Sequence, residues 1–254
     1  MKKLSFVLFL AFIIGCSSVP ITGRKQISLV SDEKMTQMGI QAYNEIISNS
    51  TVIKTGEEAE LVAKVGRDIA AAAEAFLKES GMEKEISNYS WAFSLIQDKS
   101  VNAFCLPGGK IAVYTGILPI TKNAEGLAVV IGHEVAHAIA KHGKERASQQ
   151  EMKKFGGNLL SVFTSNTAVM VVYEAGTQLG LLLPYSRKHE IEADRIGLIL
   201  MARAGYDPNA ALAFWQAMSA GGSNSDFLST HPSDSKRIES IKEVIPEAMK
   251  YYKK

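Results

Sequence analysis

Residues 129–142, VVIGHEVAHAIAKH, place three of the chain's five histidines in an otherwise apolar run without proline. On a helix turning by about 100° per residue, His133 and His137 lie about 40° apart on one face, one turn above the other. Two imidazoles in that relation can converge on one Zn²⁺ at roughly 2.0–2.1 Å. Glu134 points about 100° around from His133, so it does not ligate beside it but can reach a water held on the metal. This is the H-E-x-x-H pattern: neutral imidazoles hold the cation and the carboxylate takes a proton from the water. The competing reading is a core helix whose histidines are satisfied by neighbours, and the stretch alone leaves both open. His142, five residues past His137, reads as a solvated histidine of the last helical turn.

A catalytic zinc site needs a third protein ligand and a carboxylate that orients an imidazole through its other nitrogen. Residues 186–197, SRKHEIEADRIG, offer both. Glu190 and Asp194 are four apart and share a helix face, whereas Glu192, about 200° from Glu190, falls on the far side. Glu190 is therefore expected to ligate, Asp194 to orient, and Glu192 to matter little to the metal. By itself this segment would read as a mixed-charge surface helix; the histidine motif before it changes that. A purely structural zinc site would close its fourth position with another Cys or His. His189 points elsewhere than Glu190, and Cys105 is distant in sequence.

HEVAH followed by SRKHEIEAD resembles the gluzincin metallopeptidases of the HtpX and CAAX-prenyl-protease family, whose second motif E-x-x-A-D is matched by Glu190 to Asp194. The segments PITGRKQISLVS (20–31), NAFCLPGGKIAVYTGIL (102–118) and FLSTHPSDSKRI (227–238) are similar to that family too, above all to its small lipoprotein branch and to Oma-type proteases. The resemblance implies a zinc endopeptidase acting on membrane or envelope proteins, as in protein quality control. One Zn²⁺ per chain would be held by His133, His137 and Glu190, with Glu134 as base and later as acid for the leaving amine. It also implies that Asn102 and Ala103 lie on an edge strand that pairs with an extended polypeptide substrate, an ordinary hairpin being the alternative. It gives His231 the part of donor to the developing oxyanion, supported by Arg237, although THPSDSKRI equally suits a helix N-cap loop. Integral-membrane members of the family have clear spanning helices, whereas this chain has only the segment 155–183, which argues against an intramembrane or prenyl-peptide role.

The remaining sequence sets the frame. The chain has 254 residues, 46% of them hydrophobic, with mean hydropathy +0.03, enough for one sizeable core or two small ones. Its net charge of +2 comes without a basic stripe interleaved with aromatics, which argues against nucleic acid as a partner. The start, MKKLSFVLFLAFIIGCSS, has two lysines, an apolar run from Leu4 to Ile14, and Gly15-Cys16. That run is shorter than the about 20 residues of a spanning helix and has the length of a signal-peptide core. Ile13 to Cys16 resembles a bacterial lipobox. The expectation is a signal peptide over 1–15, lipidation of Cys16, a tether over 16–30, and a body on the periplasmic side of the outer membrane. Cys105 is then left without a partner in the chain and reads as a small buried residue.

From Ser31, an N-cap ahead of Asp32 and Glu33, a metallopeptidase domain is expected to run to residue 254. Helices are expected from 31, over 57–80, and over 123–147, 186–204, 208–219 and 234–252, with a strand over 89–97 and a hairpin over 101–116. The fold class is α+β, a mainly helical body with a small sheet whose edge strand borders the active-site cleft. Residues 155–183 carry no charge except Glu174. Their polar interruptions favour a helical hairpin beside or over the cleft rather than a membrane span. The rival to the enzyme is a non-catalytic periplasmic chaperone or assembly factor that keeps its zinc; a third reading is an enzyme kept latent by 155–183 until an envelope partner protein moves that segment. Glu134 argues for catalysis.

Overall fold

The computed structural model describes residues 16–163, 183–220, 226–231 and 235–253. Strands β1 (Cys16–Ser18) and β2 (Lys25–Ile27) pair as an antiparallel hairpin with Cys16 opposite Ile27. Helix α1 (Asp32–Ser48) starts at Ser31, whose hydroxyl accepts the Lys34 N–H, with Asp32 and Glu33 in the first turn. After β3 (Val52–Ile53), helix α2 (Glu57–Glu79) turns Val62, Val65, Ile69, Ala73 and Leu77 to the core at helical spacing. The chain leaves it through Gly81, at φ +70.

Strands β4 (Ala92–Ile96), β5 (Ala103–Leu106) and β6 (Lys110–Tyr114) join β3 in a sheet of order β3-β4-β6-β5. β4 and β6 run parallel, and β5 returns antiparallel to β6. The turn between β5 and β6 uses Gly108 and Gly109 at φ +87 and +76, which side chains disfavour. β5 is therefore an edge strand. The Tyr114 N–H donates to the Asn102 carbonyl at 3.0 Å. By the alternation of an antiparallel pair, Ala103 and Cys105 turn their backbone groups to the free edge.

Helices α3 (Leu118–Thr121), α4 (Ala124–Ile139), α5 (His142–Phe163), α6 (Leu183–Arg203), α7 (Ala210–Ala220), α8 (Asp226–Thr230) and α9 (Ser235–Ala248) follow. Asn123 caps α4 by accepting the Gly126 N–H at 3.0 Å. α4 is apolar nearly all round because it is buried nearly all round, packed among α2, β5, α6 and α7. It meets α6 backbone to backbone. A Cβ on Gly132 would stand 3.0 Å from the Gly197 carbonyl oxygen, and one on Gly197 would stand 2.9 Å from the Gly132 carbonyl carbon. This crossing lies beside His133 on one helix and just past Asp194 on the other.

The structure departs from the sequence reading in two places. The helix expected over 123–147 breaks after Ile139: Lys141 takes φ +56 and α5 starts anew at His142. Residues 16–30, expected to be a tether, hold the β1–β2 hairpin, with Val19 and Gln26 only 2% and 4% exposed. Of 155–183, residues 155–163 end α5 and Leu183 opens α6; 164–182, where the hairpin was expected, lie outside the described residues, as does the leader 1–15. Among the described residues no helix is long and apolar enough to cross a membrane.

Alanine inside a helix is normally better than glycine by about 1 kcal/mol. At Gly197 the added methyl meets the backbone of α4, so overpacking of about 1–3 kcal/mol is expected to win. Gly197→Ala and Gly132→Ala should both lower the urea midpoint. A rise in either variant would show that the two backbones are not in contact.

Candidate metal centre

The turn of α4 sets His133 and His137 side by side with their Nε2 atoms 3.0 Å apart. From α6, Glu190 brings Oε2 to 3.2 Å from His133 Nε2 and Oε1 to 3.3 Å from His137 Nε2. His231, directly after α8, brings Nδ1 to 3.1 Å from His133 Nε2 and 3.0 Å from Glu190 Oε2. Among the described residues, these four form the group of donors that could hold a metal ion. Four ligands placed tetrahedrally around zinc at about 2.0–2.1 Å are about 3.3 Å from one another. Counting either Glu190 oxygen, five of the six pairs are 3.0–3.3 Å apart, and one donor atom from each residue lies within 4.8 Å of the others.

His231 thus lies within the donor group, where the sequence reading set it apart as an oxyanion donor. Phe227 stacks on its ring at 4.6 Å, and the Phe227 N–H donates to the Val101 carbonyl at 2.9 Å, hanging α8 from the segment that leads into β5. His231 Nε2 is 3.3 Å from Glu134 Oε1.

Each α4 imidazole is aimed through its other nitrogen. His133 Nδ1 donates to Asp194 Oδ1 at 2.9 Å, which leaves its Nε2 lone pair for a metal. Arg237, from α9, grips Asp194 in a fork, Nε to Oδ2 at 2.6 Å and one terminal nitrogen to Oδ1 at 2.9 Å. It also donates to the His231 carbonyl at 3.1 Å and lies 3.7 Å from the centre of the Trp215 ring. Expected only to support His231, Arg237 therefore holds Asp194 as well.

His137 Nδ1 is 2.8 Å from His142 Nδ1, and His142 Nε2 is 3.0 Å from Glu192 Oε2. With both rings neutral, one proton arrangement satisfies the pair: His137 donates to His142, and His142 donates to Glu192. His142 is fully buried, contrary to the solvated position expected for it. On an unbroken helix it would point about 140° away from His137. The left-handed Lys141 turns it back. Glu192 does point away from the four donors, but it is buried against His142 and not in solvent. A third histidine close behind the motif was the slight signal for both.

Glu134 is buried beside the donors, and its Oε2 accepts the Cys105 N–H of the β5 edge at 3.1 Å. Its Oε1 makes no hydrogen bond among the described residues. Burial and the nearby Glu134 push the Cys105 thiol well up, so it offers no thiolate. Asn102 Oδ1 covers the Ala103 N–H at 2.9 Å. Next to the centre a cavity of about 160 Å³ opens between β5, α1 and the start of α5, lined by Met35, Tyr89, Pro107, His137 and Lys141 among others.

The charges fit a dication. Glu134, Glu190 and Asp194 face the buried guanidinium of Arg237, and the charge of Arg146 also acts on Glu190 and Glu134. Excess negative charge in so dry a site is costly unless balanced. Burial pushes the His133 pKa down, but hydrogen bonds to Asp194 and Glu190 prevail and raise it to about 9, so a proton balances part of the charge. Burial holds His137 well below its ordinary value, against the pull of Glu190. Burial opposes ionisation of Glu190 too, yet its bonds to His133, His137 and His231 drive its pKa far down. Burial lowers His142 to about 4 despite Glu192, which keeps that ring neutral.

Two helices that present H-E-x-x-H and a carboxylate as a third candidate ligand, with the motif's glutamate left off the donor group, are the arrangement of a metallopeptidase centre. The sequence profile of peptidase family M48 matches residues 58–245. The mitochondrial metalloendopeptidase OMA1 of Schizosaccharomyces pombe is 37% identical over 91% of this chain and 66% of its own length. The human metalloendopeptidase OMA1, mitochondrial, is 31% identical over 91% of this chain and 46% of its own. A putative beta-barrel assembly-enhancing protease of Vibrio cholerae is 30% identical over 60% of this chain and 34% of its own. The chain belongs to peptidase family M48, a family of zinc metallopeptidases. It spans about two thirds of the fission-yeast relative and half or less of the other two.

The outer-membrane, periplasmic location expected from the leader is overturned: the relatives matching 91% of the chain or more include the fission-yeast, budding-yeast and human proteins, all named as mitochondrial. Two lysines and a short apolar run do not by themselves specify a membrane.

With Glu190 bridging both histidines, Glu190→Gln is expected to lose zinc. Asp194→Asn should weaken zinc about 10–100-fold, the usual effect of losing a ligand's outer partner. Metal analysis of the purified, folded variants is the check. Full zinc in Glu190→Gln would remove Glu190 from the ligand set.

Proposed function

We propose that this chain hydrolyses internal peptide bonds of extended polypeptides, with His133, His137 and Glu190 as zinc ligands and Glu134 as the proton carrier. The observation that carries this is Glu134 itself: buried beside the donors, outside their group, with one oxygen held by the β5 edge and the other without a hydrogen bond among the described residues. Bound zinc supplies a Lewis acid that acidifies water and polarises the peptide carbonyl. Glu134 Oε1 takes the proton of the attacking water and passes it to the leaving nitrogen.

Substrate lies along β5, where Ala103 and Cys105 face the free edge, and displaces Asn102 from the Ala103 N–H. The adjoining 160 Å³ cavity receives one of its side chains. Of the four donors, only His231 is carried by a short helix and the turn after it, so it is the one that yields the fourth position. His231, braced by Arg237 through its carbonyl, then serves the developing oxyanion.

The motifs shared with the HtpX and CAAX-prenyl-protease branch, and the name of the Vibrio relative, favour membrane-associated proteins as substrates in a quality-control role. The lipid anchor rests on the sequence before Cys16, which opens β1. Labelled palmitate is expected to mark the wild type and not Cys16→Ala; label retained in that variant would remove the anchor from Cys16.

Glu134→Gln is expected to cut cleavage of an unfolded polypeptide by about 10²–10⁴-fold, with zinc content and melting temperature kept. Chelation should silence the wild type, and added zinc should restore it. Cleavage at the wild-type rate by zinc-loaded Glu134→Gln would overturn the assignment in favour of a non-catalytic assembly factor.

A further inference from the structure

The two α4 histidines are backed in parallel ways. His133 leads to a carboxylate, Asp194, held by Arg237 from the C-terminal helix. His137 leads through His142 to a carboxylate, Glu192, held by Arg24 from the β1–β2 hairpin at the other end of the chain. Arg24 Nε donates to Glu192 Oε2 at 2.8 Å, and Thr22 Oγ1 also donates to Glu192. The terminal nitrogens of Arg24 form a fork on Glu145 of α5 at 3.0 and 2.8 Å. One planar guanidinium thus clasps α5 to α6, which a lysine's point charge could not do with the same geometry. The Leu29 N–H, on Ser148 Oγ at 2.9 Å, fixes the same segment further along α5.

We infer that Arg24, Glu192 and His142 form a positioning chain through which the N-terminal hairpin aims the metal ligand His137. Burying Glu192 and Glu145 carries a desolvation penalty that well-packed apolar side chains would avoid. What the buried pair provides is direction: His142 can accept the His137 proton only if its own Nε2–H is held, and Glu192 holds it. Arg24 acts at a distance, touching neither the donors nor any position proposed for substrate. This inference rests on His137 being a zinc ligand.

The test measures zinc affinity by chelator competition, the visible spectrum of the Co²⁺-substituted protein, and melting of the metal-free protein. It compares wild type, His142→Ala, Glu192→Gln, Arg24→Ala and Arg24→Lys. Arg195→Ala is the control, since it breaks a partly exposed pair with Glu247 on the same helix α6. His142→Ala and Glu192→Gln are expected to weaken zinc about 10–100-fold and to alter the cobalt bands. Arg24→Ala should do so more weakly, and Arg24→Lys should fall between it and wild type. Arg195→Ala should lower melting alone.

Arg24 is partly exposed, so its variants answer even if His142→Ala does not fold. Unchanged zinc affinity and cobalt spectrum in folded Arg24→Ala would overturn the inference, as would an equal loss of zinc in Arg195→Ala. A wild type that binds no zinc would instead overturn the proposed function.

Discussion

The centre depends on two helix backbones being allowed to touch. Gly132 and Gly197 let α4 and α6 approach to a distance that a single methyl would prevent. Three of the four candidate donors follow from that approach: α4 carries two imidazoles on one face, and α6 carries Glu190, with Asp194, on the facing one. Neither helix holds a complete site. Interiors packed at crystal-like density do not deform continuously, so the crossing fixes donor separations that flexible side chains alone would leave loose.

How much of this was readable depended on how local each signal is. His133, Glu134 and His137 follow from helical periodicity within five residues, and Glu190 with Asp194 follows from the same rule, so the face each presents was legible. The α+β architecture, the β5–β6 hairpin and the helix ends were also legible, because glycines and caps mark them. His142 was not, because its direction is set by the left-handed backbone of Lys141, and no residue type there announces a break. Arg24 and Gln26 looked like tether because short polar strands gain meaning only from partners such as Glu145, 121 residues away. Glu192 was rotated away from the metal as expected; its burial was invisible because the partner that buries it, His142, had been placed in solvent.

The glutamate of the motif links the centre to the sheet. Cys105 contributes its backbone N–H to Glu134, and its thiol takes no part. The same strand presents its free edge beside the 160 Å³ cavity. Glu134 and the edge strand therefore share a hydrogen bond, and under the proposed function a polypeptide pairing with β5 would lie next to the group that acts on it. α8 hangs from Val101, just before that strand, so the histidine following α8 is tied to it as well.

The arginine partners of the centre stand near opposite ends of the chain, and this bears on how the molecule is made. Arg24 waits for Glu192 across 168 residues, and His133 is 104 residues ahead of Arg237. Contacts so far apart close late, since their loop entropy is met before they yield anything. A growing polypeptide therefore displays H-E-x-x-H long before the groups that orient it exist. Domains of this size are assembled as units while synthesis proceeds from the N-terminus. Until α9 has been made Asp194 lacks Arg237, so a half-made copy carries the motif before His133 is fully aimed.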